Sequence, residues 1–352
     1  MAKKTIKIRF VGKDWDKLPA GEVPFPFSKY LNIRYDLDFS DNPDYVISKE
    51  SRDFYASCLL RFPDAKIRIL FAGEAFVPDF NIFDYAIGFD RLKFGDRFFR
   101  LNTFNFFKFD TTSGELEKGS EWCDKVFHSE RSFCNFIYSN GRSHPMRKQL
   151  YDALSEYKKV DAAGALLRNT EKRVQKGENW MQAKVDFQKN YKFSTAIENS
   201  HYVGYTTEKL LHPMAAGSIP IYWGNPEVGK EFNTRAFINC HDYHTLQDIV
   251  EEVKKIDRND QLYRSMLCEP WLTHEQAIDN KINEEKFEKF IFSIFDNDLS
   301  HANRRGNGTW SWRYEDTLRK RIYLHNKYLK SPKHRIIRRL QKWGFKFLND
   351  HY

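Results

Sequence analysis

Two adjacent charges, Glu208 and Lys209, stand where a helix is expected to begin, in the stretch YKFSTAIENSHYVGYTTEKLLHPMAAGSIPIYW (residues 191–223). An acid in a first helical turn is favourable because the macrodipole places partial positive charge there; a cation is not. An anionic ligand would remove that conflict for Lys209. Loops at the carboxyl ends of parallel strands, feeding a helix N-terminus, are where α/β proteins hold phosphate-bearing ligands. Other polar side chains are ambiguous when taken alone. Arg168 reads as a solvated charge, Glu74 as a surface carboxylate at a strand end, and Asn199 and Tyr205 as loop hydrogen-bonding groups.

The elements that would position these groups follow from pattern. Tyr191–Ile197 is short, aromatic and β-branched, as a buried strand should be. Polar residues follow, with Gly204 as punctuation, and Thr206 or Thr207 can cap a helix. Leu210, Leu211, Met214 and Ala215 would form its inward face, Gly217 would end it, and Ile219–Trp223 would be the next strand. Upstream, strands are expected over Lys7–Gly12, Asn32–Phe39, Tyr45–Ser48 and Lys66–Ala72, the last leading to Gly73 and Glu74. Residues 110–129 read as a loop or linker. A second series follows: strand Phe133–Ser139, helix Pro145–Tyr157, strand Val160–Ala163, strand Ala236–Cys240 and helix Thr245–Ile256. The chain is helical from Glu284 onward. Two successive α/β series predict two Rossmann-like domains.

The same stretch resembles a known family. ENS-x5-Y-x2-TEK, a small-residue helix and IPIYWG are similar to the signature of the α-1,3/4-fucosyltransferases, glycosyltransferase family 10. LFAGEAFVPDFNIFDYAIGFD (residues 70–90) is similar to a second family block, most like the bacterial members, with Ala75 in place of their usual Asn. The resemblance implies an α/β, GT-B-like fold: two Rossmann-like domains facing a cleft, with a helical basic C-terminal tail. The domains expected are an acceptor-side domain over 1–130, a GDP-fucose-binding domain over 131–300 and the tail over 301–352. It implies GDP-fucose as donor and an oligosaccharide or lipid-linked glycan as acceptor, N-acetylglucosamine in β-galactosyl disaccharides above all. Glu74 would be the general base for the acceptor hydroxyl. Arg168 and Lys209 would hold the diphosphate, one as a planar fork and one as a point charge. Glu208 would orient the donor and favour developing positive charge; Asn199 and Tyr205 would contact the donor.

Composition sets the limits. The 352-residue chain is comfortable for two domains and carries 57 Lys and Arg against 48 Asp and Glu, an excess of nine. That excess suggests an anionic partner: nucleotide, nucleic acid or acidic membrane. No nucleic-acid motif accompanies it, so nucleic-acid binding is the weaker class; a transferase for another nucleotide sugar is the nearer rival. Five cysteines lack CxxC spacing, so no metal site is expected, and no cofactor is expected to be tightly bound. The DxD triplets Asp14/Asp16, Asp36/Asp38 and Asp296/Asp298 read as surface acids, leaving any stimulation by Mn or Mg without a dedicated site. No long apolar run is present, so neither a secretion signal nor a spanning helix is expected; eukaryotic members of the family carry a membrane anchor, so the resemblance implies a bacterial, cytoplasmic form. In the tail, Ile336, Ile337, Leu340, Trp343 and Phe347 share one helical face and five basic side chains the other. That pattern suggests peripheral attachment to the inner, anionic face of the cytoplasmic membrane.

Overall fold

The computed structural model describes residues 3–332 except 13, 51–55, 107–117, 142, 175–176, 178–179 and 307, together with residue 336. The described chain forms two compact α/β units. The first holds residues up to Gly88, Lys93–Phe99 and Glu288 onward; the second holds Phe89–Leu92 and Arg100–Phe287.

The sheet of the first unit contains β1 (Lys4–Val11), β2 (Tyr35–Asp38), β3 (Tyr45–Lys49), β4 (Ile67–Phe71), β5 (Tyr85–Gly88) and β6 (Phe98–Arg100), in the order β2-β1-β3-β4-β5-β6. The ladders joining β2, β1, β3, β4 and β5 are parallel. Every residue of β4 and β5 is buried, as parallel strands covered on both faces require. Glu50 and Glu74 follow the carboxyl ends of the neighbouring strands β3 and β4. The segment read as one strand over Asn32–Phe39 instead begins with a helical turn, Leu31–Arg34, and only Tyr35–Asp38 is extended. Leu31 is buried in that turn while Ile33 faces solvent, so packing overrides the β-branched pattern.

The second unit starts with α1 (Ser120–Phe127), inside the stretch expected to be a loop. Gly119 precedes it, and Cys123 and Val126 supply a short buried face within a stretch whose polar residues and glycines read as a loop. Then come β7 (Ser132–Phe136), α2 (Met146–Ser155), β8 (Val160–Ala162), α3 (Trp180–Gln188), β9 (Tyr191–Ile197), α4 (Glu208–Ala215), β10 (Ile219–Trp223), β11 (Ile238–Asn239), α5 (Leu246–Asp257) and α6 (Asp260–Cys268). The sheet order is β11-β10-β9-β7-β8, all parallel. The strand expected over Ala236–Cys240 shrinks to Ile238–Asn239, because Asn233 caps a 3-10 turn over Thr234–Ala236. Strand order reverses between β7 and β9, which makes their carboxyl ends the switch point of a doubly wound sheet.

The domain limits differ from those expected. The described residues between 100 and 130 belong with the second unit, and the chain returns to the first within α7 (His274–Asp296) before α8 (Thr309–Leu329). In the first unit, Ile291, Ile294 and Phe295 are fully buried, and Lys4 Nζ donates to the Phe295 and Asn297 carbonyls. Asp84, also fully buried, does more. Its Oδ1 accepts the backbone N–H groups of Arg304 (2.7 Å) and Arg305 (3.0 Å). Its Oδ2 accepts the Arg68 N–H at 2.7 Å and the Arg305 guanidinium at 2.9 Å. Glu315 of α8 closes the network on Arg68 at 3.0 Å. One acid thus ties the returning chain to β4 and β5. Asp84→Ala is expected to destabilise the first unit by about 3–5 kcal/mol, since it leaves buried cations and amides unpaired. Urea denaturation measures the loss, and hydrogen exchange should be faster in residues 304–319.

Candidate functional site

Each chemically interesting loop of the second unit leaves the carboxyl edge of its sheet. The loop after β9 is held by buried polar groups. Asn225 Oδ1 accepts the Gly204 N–H at 2.9 Å and its Nδ2 donates to Thr206 Oγ1 at 3.1 Å. Gly204 has φ +85°, and a Cβ there would lie 2.4 Å from the Phe89 carbonyl oxygen, so the turn requires glycine. Thr207 caps α4, the role expected of Thr206 or Thr207: its side chain accepts the Lys209 N–H.

Glu198, fully buried, organises this end of the helix. It accepts the Thr207 N–H at 2.7 Å and the Thr207 hydroxyl at 2.9 Å, and it pairs with Lys209 Nζ at 3.2 Å. Lys209 also lies 3.4 Å from Glu208 and donates to Thr207 Oγ1 at 2.9 Å. The dipole conflict at Lys209 is therefore relieved inside the protein, by Glu198, before any ligand arrives. Burial would lower the Lys209 pKa, but Glu198 and Glu208 outweigh it and raise it, so the side chain is a fixed cation. Burial pushes Glu198 upward. Glu208 goes the other way: burial opposes ionisation, yet Lys209 and then Lys184 hold it down at about 2.

The remaining candidates are placed as follows. Asn199 Oδ1 accepts from Arg147 Nη2 at 2.7 Å. Tyr205 is 2 % exposed, its ring edge-on to Phe89 with 5.4 Å between centroids, which puts the ring in the interior. Arg168 is exposed, and among the described residues no ion pair engages it. It follows Leu167, whose φ of +56° turns the loop after β8, and precedes Asn169, which is bonded back to Ala162. In the first unit Glu74 is exposed on the turn after β4. The DxD acids are surface groups: Asp16 pairs with Arg61 at 2.5 Å and Asp296 with Arg34 at 2.6 Å. Among the described residues no group of His, Cys, Asp and Glu is placed to hold a metal ion.

Two cations of this edge escaped the sequence reading. Arg147 on α2 is 3 % exposed; its guanidinium donates to the Ile197 carbonyl at 3.1 and 3.2 Å and stacks over Tyr138 at 4.2 Å. Lys184 on α3 is 7 % exposed and within electrostatic reach of Glu208, Lys209 and Glu198. The signal was present: Arg147 shares its helix face with Leu150 and Leu154, and Lys184 with Phe187 and Gln188, so each is a charge on an inward stripe. Burial pulls Lys184 down to about 8. Arg147, Arg168, Lys184 and Lys209 against Glu198 and Glu208 leave the edge with two positive charges in excess (4 − 2). Flat rings extend it: His144 and Trp223 lie 4.1 Å apart, and His201 and His241 adjoin Trp223.

Such an edge can bind a diphosphate without a proton-donating acid. Lys184→Met is expected to weaken pyrophosphate binding roughly tenfold to a hundredfold, the scale of one charge-assisted bond. Wild-type affinity should fall as pH rises through about 8, where Lys184 loses its proton, and the variant should lack that step. Calorimetry from pH 6.5 to 9 reads both.

Comparison with known proteins agrees with this chemistry. Residues 127–304 match the model of the glycosyltransferase family 10 (fucosyltransferase) C-terminal region, and residues 23–107 match that of the α-(1,3)-fucosyltransferase FucT N-terminal domain. The α-(1,3)-fucosyltransferase FucT of Helicobacter pylori is 31 % identical over 312 residues, which cover 78 % of this chain and 62 % of that protein. A crystal structure of an α1,3-fucosyltransferase superposes with a TM-score of 0.67 at 25 % identity, covering 87 % of this chain and 93 % of that one. A crystal structure of α1,3-fucosyltransferase with GDP-fucose gives 0.62 at 26 % identity, covering 87 % and 94 %. The match over 127–304 spans half of the chain and includes the whole ENS-to-IPIYWG stretch: the protein belongs to glycosyltransferase family 10, the fucosyltransferases.

Proposed function

We propose that the protein transfers L-fucose from GDP-fucose to a sugar hydroxyl, with inversion at the fucose anomeric carbon. The observation that carries this reading is the cationic edge at the switch point of the second sheet, where Lys209 and Lys184 adjoin two carboxylates and Arg147 is held by Asn199. GDP is a good leaving group once its negative charge is matched, so the departing oxygen needs cations rather than a general acid. Arg168, exposed at the same edge, is free to swing onto the outer phosphate. The Trp223 and His144 rings offer a stacking surface for the purine. Glu208, held ionised, opposes the positive charge that grows on the sugar ring as the bond to the diphosphate stretches.

The acceptor oxygen must lose a proton as it attacks. Glu74, exposed on the turn after β4 and set in the GEAFVPDFN block, is the base we assign. As acceptor we propose the N-acetylglucosamine of β-galactosyl-N-acetylglucosamine glycans, joined through an α-1,3 linkage, with α-1,4 the variant linkage. Glu74→Gln should retain GDP binding while transfer falls by about two to four orders of magnitude. Assays with type 1 and type 2 disaccharides, product linkage by NMR and a panel of nucleotide sugars test donor, acceptor and base together. Transfer within threefold of wild type removes Glu74 from the mechanism.

We further propose peripheral attachment to an anionic membrane at the cytoplasmic face. Of the tail expected to do this, residues 333–335 and 337–352 lie outside the described residues, so the sequence pattern carries that part. Support comes from α8, where Trp310, Trp312, Tyr323 and Leu324 are exposed beside Arg313, Lys320, Arg321 and Lys327. No helix among the described residues is long and apolar enough to cross a membrane. Truncation after Lys330 should leave soluble, active enzyme with clearly weaker flotation on acidic liposomes. An inactive or aggregated truncation assigns the apolar face to the fold instead.

A further inference from the structure

The turn that presents Glu74 is anchored by a second carboxylate. Glu50 follows β3 as Glu74 follows β4, and the two strands are paired in parallel from Tyr45 with Ile67 to Lys49 with Phe71. Register therefore brings both acids to one edge, separated by a single strand spacing. Glu50 Oε2 accepts the Gly73 N–H at 2.6 Å, a short contact. Its other oxygen lies so close to Gly73 that a Cβ at residue 73 would come within 2.8 Å of it. Any side chain at residue 73 would have to push that carboxylate aside, and the residue so held immediately precedes Glu74.

We infer that Glu50 is a positioning residue for Glu74: it clamps the Gly73 amide and sets a second carboxyl group beside the base. This rests on the reading of Glu74 as base. Burial pushes Glu50 up to about 7, against the Gly73 hydrogen bond and Lys49, with Glu74 adding to the rise. Among the described residues, the charged groups facing Glu50 are Lys49 on its own strand and Glu74 on the neighbouring turn. Asp14 lies beyond Lys49, paired with it at 3.7 Å. As pH rises through about 7, Glu50 ionises. The Gly73 clamp then becomes charge-assisted, and the extra negative charge favours movement of the acceptor proton onto the base.

The experiment compares wild type, Glu50→Gln, Glu50→Ala and Glu74→Gln by kcat/KM between pH 5.5 and 8.5, with melting temperature and GDP affinity as controls. Gln keeps an oxygen for the Gly73 N–H but cannot ionise; Ala removes both. Wild type should show a rise of several-fold centred near 7, absent in Glu50→Gln. Glu50→Ala should lose roughly tenfold in kcat at every pH, partly restored by Gln, with GDP affinity unchanged. A Glu50→Gln profile that superposes on wild type, while Glu74→Gln is inactive, overturns the role of Glu50 and leaves the base assignment standing. An active Glu74→Gln overturns both.

Discussion

Glu198 accepts from the amide and hydroxyl of Thr207 and pairs with Lys209, and its own N–H donates to the Trp223 carbonyl at 2.8 Å. One fully buried residue, through its backbone and its side chain, thus links the end of β9, the end of β10 and the start of α4. Burying a carboxylate is costly, and a buried ion pair rarely repays that cost with stability to spare. What the arrangement provides is a single geometry. Lys209 is locked as a cation in the one turn where a helix dipole disfavours it, so the second unit presents a preformed positive site rather than one assembled around a ligand.

The other charges follow from that lock. Arg147 is buried without a carboxylate of its own and is satisfied by carbonyls, by Asn199 and by the face of Tyr138. Lys184 pays for burial with a lowered pKa. Glu208, between Lys184 and Lys209, stays ionised despite its surroundings. Burial lowers Lys184, whereas at Glu208 the neighbouring lysines override burial, and the sum over the edge is a local excess of positive charge. This is the environment in which departing phosphate oxygens are stabilised most strongly, because no solvent has to reorganise.

The first unit uses the same device for a structural end. Asp84 collects three backbone amides and a guanidinium from chain segments more than two hundred residues apart. Buried acids therefore act as joints in both units: Glu198 joins strand ends to a helix, and Asp84 joins the returning chain to its sheet. Glu50 is a smaller version at the turn that carries Glu74.

Local pattern alone determined a good part of this protein. Tyr191–Ile197 and Ile219–Trp223 were legible as strands because aromatic and β-branched runs bounded by polar loops have few other uses, and both match the observed limits. A threonine cap at residue 206 or 207, the inward face of Leu210, Leu211 and Met214, and the family itself, through ENS-x5-Y-x2-TEK, were equally local facts; the fold chose Thr207. Tertiary structure decided what depends on neighbours distant in sequence. It set α1 in a polar, glycine-containing stretch that looked like a linker, returned the chain to the first unit after Phe287, and turned Tyr205 inward against Phe89. It also decided which charges matter. Arg147, Lys184, Glu198 and Glu50 look like ordinary polar residues in the sequence, because burial and pairing are properties of the packed chain. Arg147, Lys184 and Lys209 form part of a site because the fold buries or half-buries them and chooses their partners.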